Sequence, residues 1–183
     1  MLKKVCISII LLIACLSFAV TYSQAATYHV WNVWCVDSGK HLDWKGSSQY
    51  YSYFETAMNT WNNYKPGVIR KDGAFTINDL TIEDVDKLSG NHIALTTIKS
   101  LTGEGHELGK IQFSKEKMNS ASSKIKQIVC THELGHALGL DENNDNGTNV
   151  IMFNDMTYNT SNNVLHSQDK MNYDYMYNNK YWF

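Results

Sequence analysis

His132-Glu133-Leu134-Gly135-His136 sets two imidazoles four residues apart, the spacing that puts side chains on one face of a helix, one turn apart. Two such imidazoles can grip one metal ion together. Glu133, next to the first histidine, then stands beside a water held by that ion and can take its proton. Gly139 supplies a backbone conformation that side-chain-bearing residues adopt poorly, so the helix should end there and the chain turn back. The turn leads straight to Asp141 and Glu142, either of which could be a third ligand. Glu142 is preferred because its extra methylene gives it a reach close to that of a histidine. The chemistry expected is metal-assisted hydrolysis, with one catalytic Zn2+ on His132, His136 and Glu142 and with Glu133 as general base.

The elements that must position these groups are readable in outline. Tyr28 to Val36 is bulky on both alternating sets of residues, as a strand covered on both sides would be. Tyr50, Phe54, Ala57, Met58 and Trp61 form one apolar stripe at helical period, and Pro66-Gly67 closes that segment. Between Val68 and Ile98 come short strands, among them Ala74-Phe75-Thr76-Ile77 and Ile93-Ala94-Leu95-Thr96. Ser100 to Gly109 holds three glycines and reads as a loop, and Lys110-Ile111-Gln112-Phe113 reads as another strand. Ser122 or Ser123 can cap the metal helix, whose inward face is Ile125, Ile128, Val129, His132 and His136. Ser167 is the expected cap of a last helix running to about Tyr177. The pattern is that of a single α+β domain with no repeats or linkers.

Residues 1–25 read as a secretion signal rather than as fold. Lys3 and Lys4 precede an apolar run from Val5 to about Val20, and Ser23-Gln24-Ala25 offers small residues for cleavage after Ala25. Lipoprotein processing at Cys15 is the rival, disfavoured because the chain stays apolar beyond that cysteine. The expected product, residues 26–183, is one secreted, extracellular catalytic domain without a membrane span. It carries 14 basic and 18 acidic residues, a net charge of −4, and no basic stripe, so nucleic acid is not an expected partner. Cys35 and Cys130 remain after cleavage and are expected to form a disulfide in an oxidising compartment. The alternative gives one of them a metal or latency role.

With these residues assembled, the chain resembles the metzincins, and within them the matrixins: the matrix metalloproteinase catalytic domains and their small secreted bacterial relatives. The zinc helix matches through Gly139, and Val150-Ile151-Met152-Phe153 sits where that family has its Met-turn, with Met152 as a packing floor beneath the metal. Trp61-Asn62-Asn63-Tyr64-Lys65-Pro66 is similar to the end of the family's first helix, and Gly109-Lys110-Ile111-Gln112-Phe113 to its Gly-x-Ile-x-Phe strand. Leu165, Asp169, Tyr173, Met176 and Tyr177 fall in step with its final helix. The resemblance implies a small, twisted, mostly parallel sheet, two long helices, a zinc cleft and a C-terminal helix. It implies a zinc endopeptidase acting on protein or peptide, working as a monomer. It also puts the third ligand three residues past Gly139, at Glu142, where most relatives have histidine and some have aspartate. No Pro-Arg-Cys-Gly latency motif is present, so control of activity is expected from another chain, such as a separate protein inhibitor.

Other candidates carry less. Asp141 to Gly147 resembles half a calcium loop, but its glycine is one place late and Met152 stands where the closing glutamate would be. A solvated turn is the preferred reading. His92, His106 and His166 could hold a further structural Zn2+ or Ca2+ of the kind relatives carry, and they are left unassigned. Tyr158 is a secondary candidate for the cleft. The substrate is expected to lie along an edge strand near Gly109 to Phe113. Two rival functions remain: a thermolysin-like peptidase with a distant third ligand, and a secreted non-catalytic binding protein on a metzincin scaffold. Gly139 and the Met-turn speak against the first, and the intact Glu133 against the second.

Overall fold

The short apolar runs of the first half pair edge to edge because parallel strands joined by crossovers bury both faces of a sheet. A computed structural model of the chain describes residues 26–71, 78–99, 103–145, 147–156 and 159–181. The strands are β1 (Val33–Trp34), β2 (Leu42–Gly46), β3 (Ile69–Lys71), β4 (Leu80–Val85), β5 (Ala94–Ile98), β6 (Gly105–His106) and β7 (Gly109–Ser114). The helices are α1 (Tyr51–Asn62), α2 (Lys115–Ser120), α3 (Ser123–Ala137) and α4 (Ser167–Asn179). Five strands make one sheet in the order β3-β2-β4-β7-β5, while β1 and β6 form a separate parallel pair. Within the five-stranded sheet only β5 runs antiparallel to its neighbour, with Ala94 opposite Phe113 and Ile98 opposite Gly109. The fold is the expected α+β arrangement of a small, mostly parallel sheet, packed helices and a C-terminal helix.

The edge strand differs from the expectation. Gly109 to Phe113 lies inside the sheet, bonded to β4 on one side and β5 on the other. Of the sheet's two outer strands, β3 and β5, it is β5 that packs against α3. The expected strand at Ala74–Ile77 lies outside the described residues. The first expected strand is shorter than its apolar pattern, because Val30 pairs with Leu140 in a single bridge and only Val33–Trp34 continues as β1.

The apolar stripe of α1 faces the core as its period requires, with Phe54, Ala57 and Trp61 fully buried. Trp61 also donates its indole N–H to the Thr131 carbonyl at 2.9 Å, tying α1 to α3. Gly135 leaves the room this packing needs. A methyl group there would come within 2.4 Å of Met152 Sδ and 3.1 Å of the Trp61 ring. Of the two serines the sequence offers as the cap of α3, it is Ser122 that accepts from the Ile125 N–H. The last helix starts as expected, but its cap is His166 rather than Ser167. Asp169 accepts from the His166 N–H at 2.9 Å and thereby closes the turn.

The disulfide expectation is overturned: Cys35 and Cys130 are both free and buried. Cys35 donates its backbone N–H to Ala137 at 2.8 Å, which sets it beside the end of α3. Cys130 lies two helical turns earlier, about 10 Å along the axis. A disulfide needs Cα atoms within roughly 7 Å. Burial raises both thiols above the usual cysteine range, with Asp79 adding to this at Cys35, and Glu133 and Asp84 at Cys130. Residues 26–183, purified without reductant, are therefore expected to give two titratable thiols once unfolded and almost none while native. An unfolded protein with no free thiol would contradict this packing.

Candidate metal centre

α3 carries His132 and His136 on its buried side, 3% and 6% exposed, and each ring has one nitrogen already committed. Nδ1 of His132 lies 3.0 Å from the Ile151 carbonyl, and Nδ1 of His136 lies 2.8 Å from the Leu140 carbonyl. A carbonyl oxygen only accepts, so each Nδ1 is the protonated nitrogen and each Nε2 keeps its lone pair. Both Nε2 atoms converge on Glu142 Oε1, at 3.4 Å from each. The three side chains offer ligand atoms all within 4.8 Å of one another.

Glu142 reaches this point because the chain reverses at Gly139, whose φ of 88° is the left-handed conformation expected from the sequence. The reversed segment pairs with residues near the start of the described chain. Trp31 donates to the Gly139 carbonyl at 2.7 Å, and Asp141 donates to the His29 carbonyl at 3.0 Å. The Asp141 side chain is occupied elsewhere: Oδ1 accepts from the Trp31 indole at 2.8 Å and from the Glu142 N–H at 2.7 Å. Of the two acidic neighbours, Glu142 therefore faces the histidines and Asp141 locks the turn.

The donor set fits zinc. It consists of two neutral imidazole nitrogens and a carboxylate whose second oxygen, Oε2, is buried without a partner. The local field favours a cation. Burial pulls the His132 pKa down, but hydrogen bonding to Glu142 and the charges of Glu133 and Glu142 more than offset this, and its net shift is upward. Burial pushes Glu142 up, and the same two histidines outweigh it, holding this carboxyl at about 2. Among the described residues this is the one cluster of its kind. His106 pairs instead with Asp79 at 3.0 Å, His166 caps α4 and His92 lines the cleft, so these three are not brought together. Asn146 of the half calcium loop and Tyr158 lie outside the described residues.

The cluster forms part of a cleft of about 930 Å³, walled by Leu95 and Thr96 of β5 on one side and by Asn154, Asp155 and Met156 on another. Glu133 sits in that cleft, 7% exposed. The Met-turn behind it is held by α4. Buried Asp169 accepts from the Ile151 N–H at 3.0 Å and the Met152 N–H at 3.3 Å. Asn159 braces the same turn, donating to the Val150 carbonyl at 2.8 Å.

Over most of the chain, residues 34–178, the sequence matches the matrixin family model. The chain belongs to the matrixin family. Among curated proteins none matches it significantly. Matrixins are zinc metallopeptidases, so membership carries zinc dependence and a peptide substrate class at the level of the family. This matrixin has features its motifs did not reveal. Trp31 stacks on His136 with ring centroids 4.5 Å apart and planes 3° from parallel, backing the ligand with an aromatic surface. In the sequence Trp31 is one more bulky residue in an apolar stretch, and nothing marks it as a neighbour of the site. Asp169 was visible as a position in the final helix, but its clamp on the Met-turn was not.

This geometry separates the two acidic residues experimentally. Glu142→Ala is expected to lower zinc affinity at least tenfold, roughly the cost of one lost ligand contact at 1.4 kcal/mol per decade. Asp141→Ala should keep zinc stoichiometric while lowering the thermal midpoint. Competition titrations with a chromogenic chelator measure both, and the reverse ranking would reassign the ligand. The same titration should show affinity weakening as pH falls, because a protonated imidazole cannot bind metal and the His132 pKa is shifted upward.

Proposed function

We propose that the chain is a secreted zinc endopeptidase in which His132, His136 and Glu142 hold the metal and Glu133 is the general base. The observation that carries this reading is the convergence of two imidazole Nε2 atoms and one carboxylate beside a second carboxylate in an open cleft. When bound, zinc would polarise the scissile carbonyl and lower the pKa of a water molecule.

The rest is work for the chain. β5 is an outer strand beside the cleft, its far side unpaired among the described residues, and an extended peptide can add along it as a further strand. This holds the scissile bond near Glu133 at low entropic cost. Glu133 accepts a proton from the attacking water as the new C–O bond forms. The same carboxyl then donates that proton to the nitrogen of the leaving amine as the C–N bond breaks. Half-buried Trp31 and the β5 side chains exclude bulk water around the reacting atoms and strengthen these charge interactions. Residues 1–25 would direct export, supported by Lys3-Lys4, the apolar run and the small residues before Ala26. No helix among the described residues is long and apolar enough to cross a membrane.

A fluorogenic peptide library incubated with residues 26–183 tests the activity and reports the cut sites. Chelation is expected to abolish hydrolysis and added zinc to restore it. Glu133→Gln, which keeps size but cannot take the proton, should lose at least about a hundredfold in kcat while retaining zinc. Near-normal turnover by the zinc-loaded variant would overturn the assignment of the base.

A further inference from the structure

We infer that Thr96 is a positioning residue for the base: its hydroxyl fixes the Glu133 carboxyl at the angle from which it takes and returns the proton. This rests on the proposed role of Glu133. Thr96 Oγ1 lies 2.6 Å from Glu133 Oε2 and 2.9 Å from the Glu133 backbone carbonyl, and the residue is 7% exposed. A threonine on an edge strand ordinarily spends its hydroxyl on water. Here the strand register, with Thr96 opposite Ile111, packs it against α3.

A glutamate has three rotatable bonds, and on a helix facing an open cleft its carboxyl would sample several orientations. The Thr96 contact selects one, with a strong bond because the acceptor is charged. β-branching makes Thr96 itself stiff at χ1, so the tether is rigid as well as short. The hydroxyl has one hydrogen and two acceptors within reach. While Glu133 is a carboxylate, the hydrogen serves Oε2. When Glu133 takes a proton from water it does so on Oε1, from which the proton can pass to the amine, while Oε2 goes on accepting the hydroxyl hydrogen. Oε2 therefore keeps a partner through both halves of the proton transfer, and the carboxyl need not swing away between them.

Two matched pairs test this: Thr96→Val against wild type, and Thr96→Ala against Thr96→Ser. Each pair differs mainly by the hydroxyl. Loss of the hydroxyl is expected to lower kcat roughly 10- to 100-fold, the scale of one hydrogen bond to a charged group, with KM changed less than about threefold. Thr96→Ser should recover most of the rate. In a Glu133→Gln background, Thr96→Val should cost little more, because the group it positions is no longer a base. A second readout needs no turnover. The Glu133 carboxylate stretch, isolated in metal-free protein as the infrared difference between wild type and Glu133→Gln, should shift in Thr96→Val and return in Thr96→Ser. If Thr96→Val does not fold, the Ser and Ala variants carry the comparison. Unchanged kcat without the hydroxyl, equal losses in Ser and Ala, or an unmoved band overturns the inference. If Glu133→Gln itself retains activity, the assignment of the base has failed instead.

Discussion

Two backbone carbonyls, Leu140 O and Ile151 O, determine which nitrogen of each histidine faces the cleft, and the site depends on that choice. An imidazole with the wrong tautomer presents an N–H where a lone pair is needed. The carbonyls belong to two different segments, the turn after Gly139 and the Met-turn, so both must be held in place independently of the helix. Much of the surrounding structure serves that end. Asp169 grips the Met-turn through two backbone N–H groups, and the Asn143 N–H donates to the Met152 carbonyl at 2.7 Å, linking one turn to the other.

The apolar packing is organised around the same two turns. Gly135 lies inside the zinc motif with Met152 and Trp61 pressed against it, so the Met-turn and α1 approach α3 more closely than any side chain would allow. Met152 is fully buried, with its sulfur packed toward Gly135. Trp31 acts from the other side, stacking on His136 while its indole N–H holds Asp141. His136 is thus backed by Trp31, each histidine is anchored by one carbonyl, and the charges of Glu133 and Glu142 at His132 favour a cation there.

What the sequence disclosed follows from locality. His132, Glu133, His136 and Gly139 lie on one helix and its end, so spacing alone predicts their relative geometry. The α1 stripe and the cap of α3, to within one residue, were legible for the same reason. The edge of the sheet was not. Strand order depends on pairings between distant segments, and the apolar alternation of Lys110 to Phe113 is the same for an inner strand as for an outer one. Side-chain reach and the resemblance to the matrixins both favoured Glu142 over Asp141, but the structural cause, the bond from Trp31 110 residues away, was not legible. The disulfide expectation failed through a similar gap: the parity of two cysteines says nothing about the two helical turns between them.

The strap formed by residues 29–31 has a consequence for the order in which the molecule is made. The two histidines and the carbonyls that orient them all lie between residues 132 and 151, close together in sequence. The third donor is held by residues from near the front of the described chain, and that front is itself held by α4, through His29 to Asn172 and Gln168 to Thr27, across about 140 positions. Contacts so distant in sequence close late, because their loop entropy is paid before any bond repays it. A chain still being synthesised would therefore present a two-nitrogen half-site of weak affinity. The three-donor cluster would be completed only when the last helix docks, so any metal held there would mark a domain already assembled.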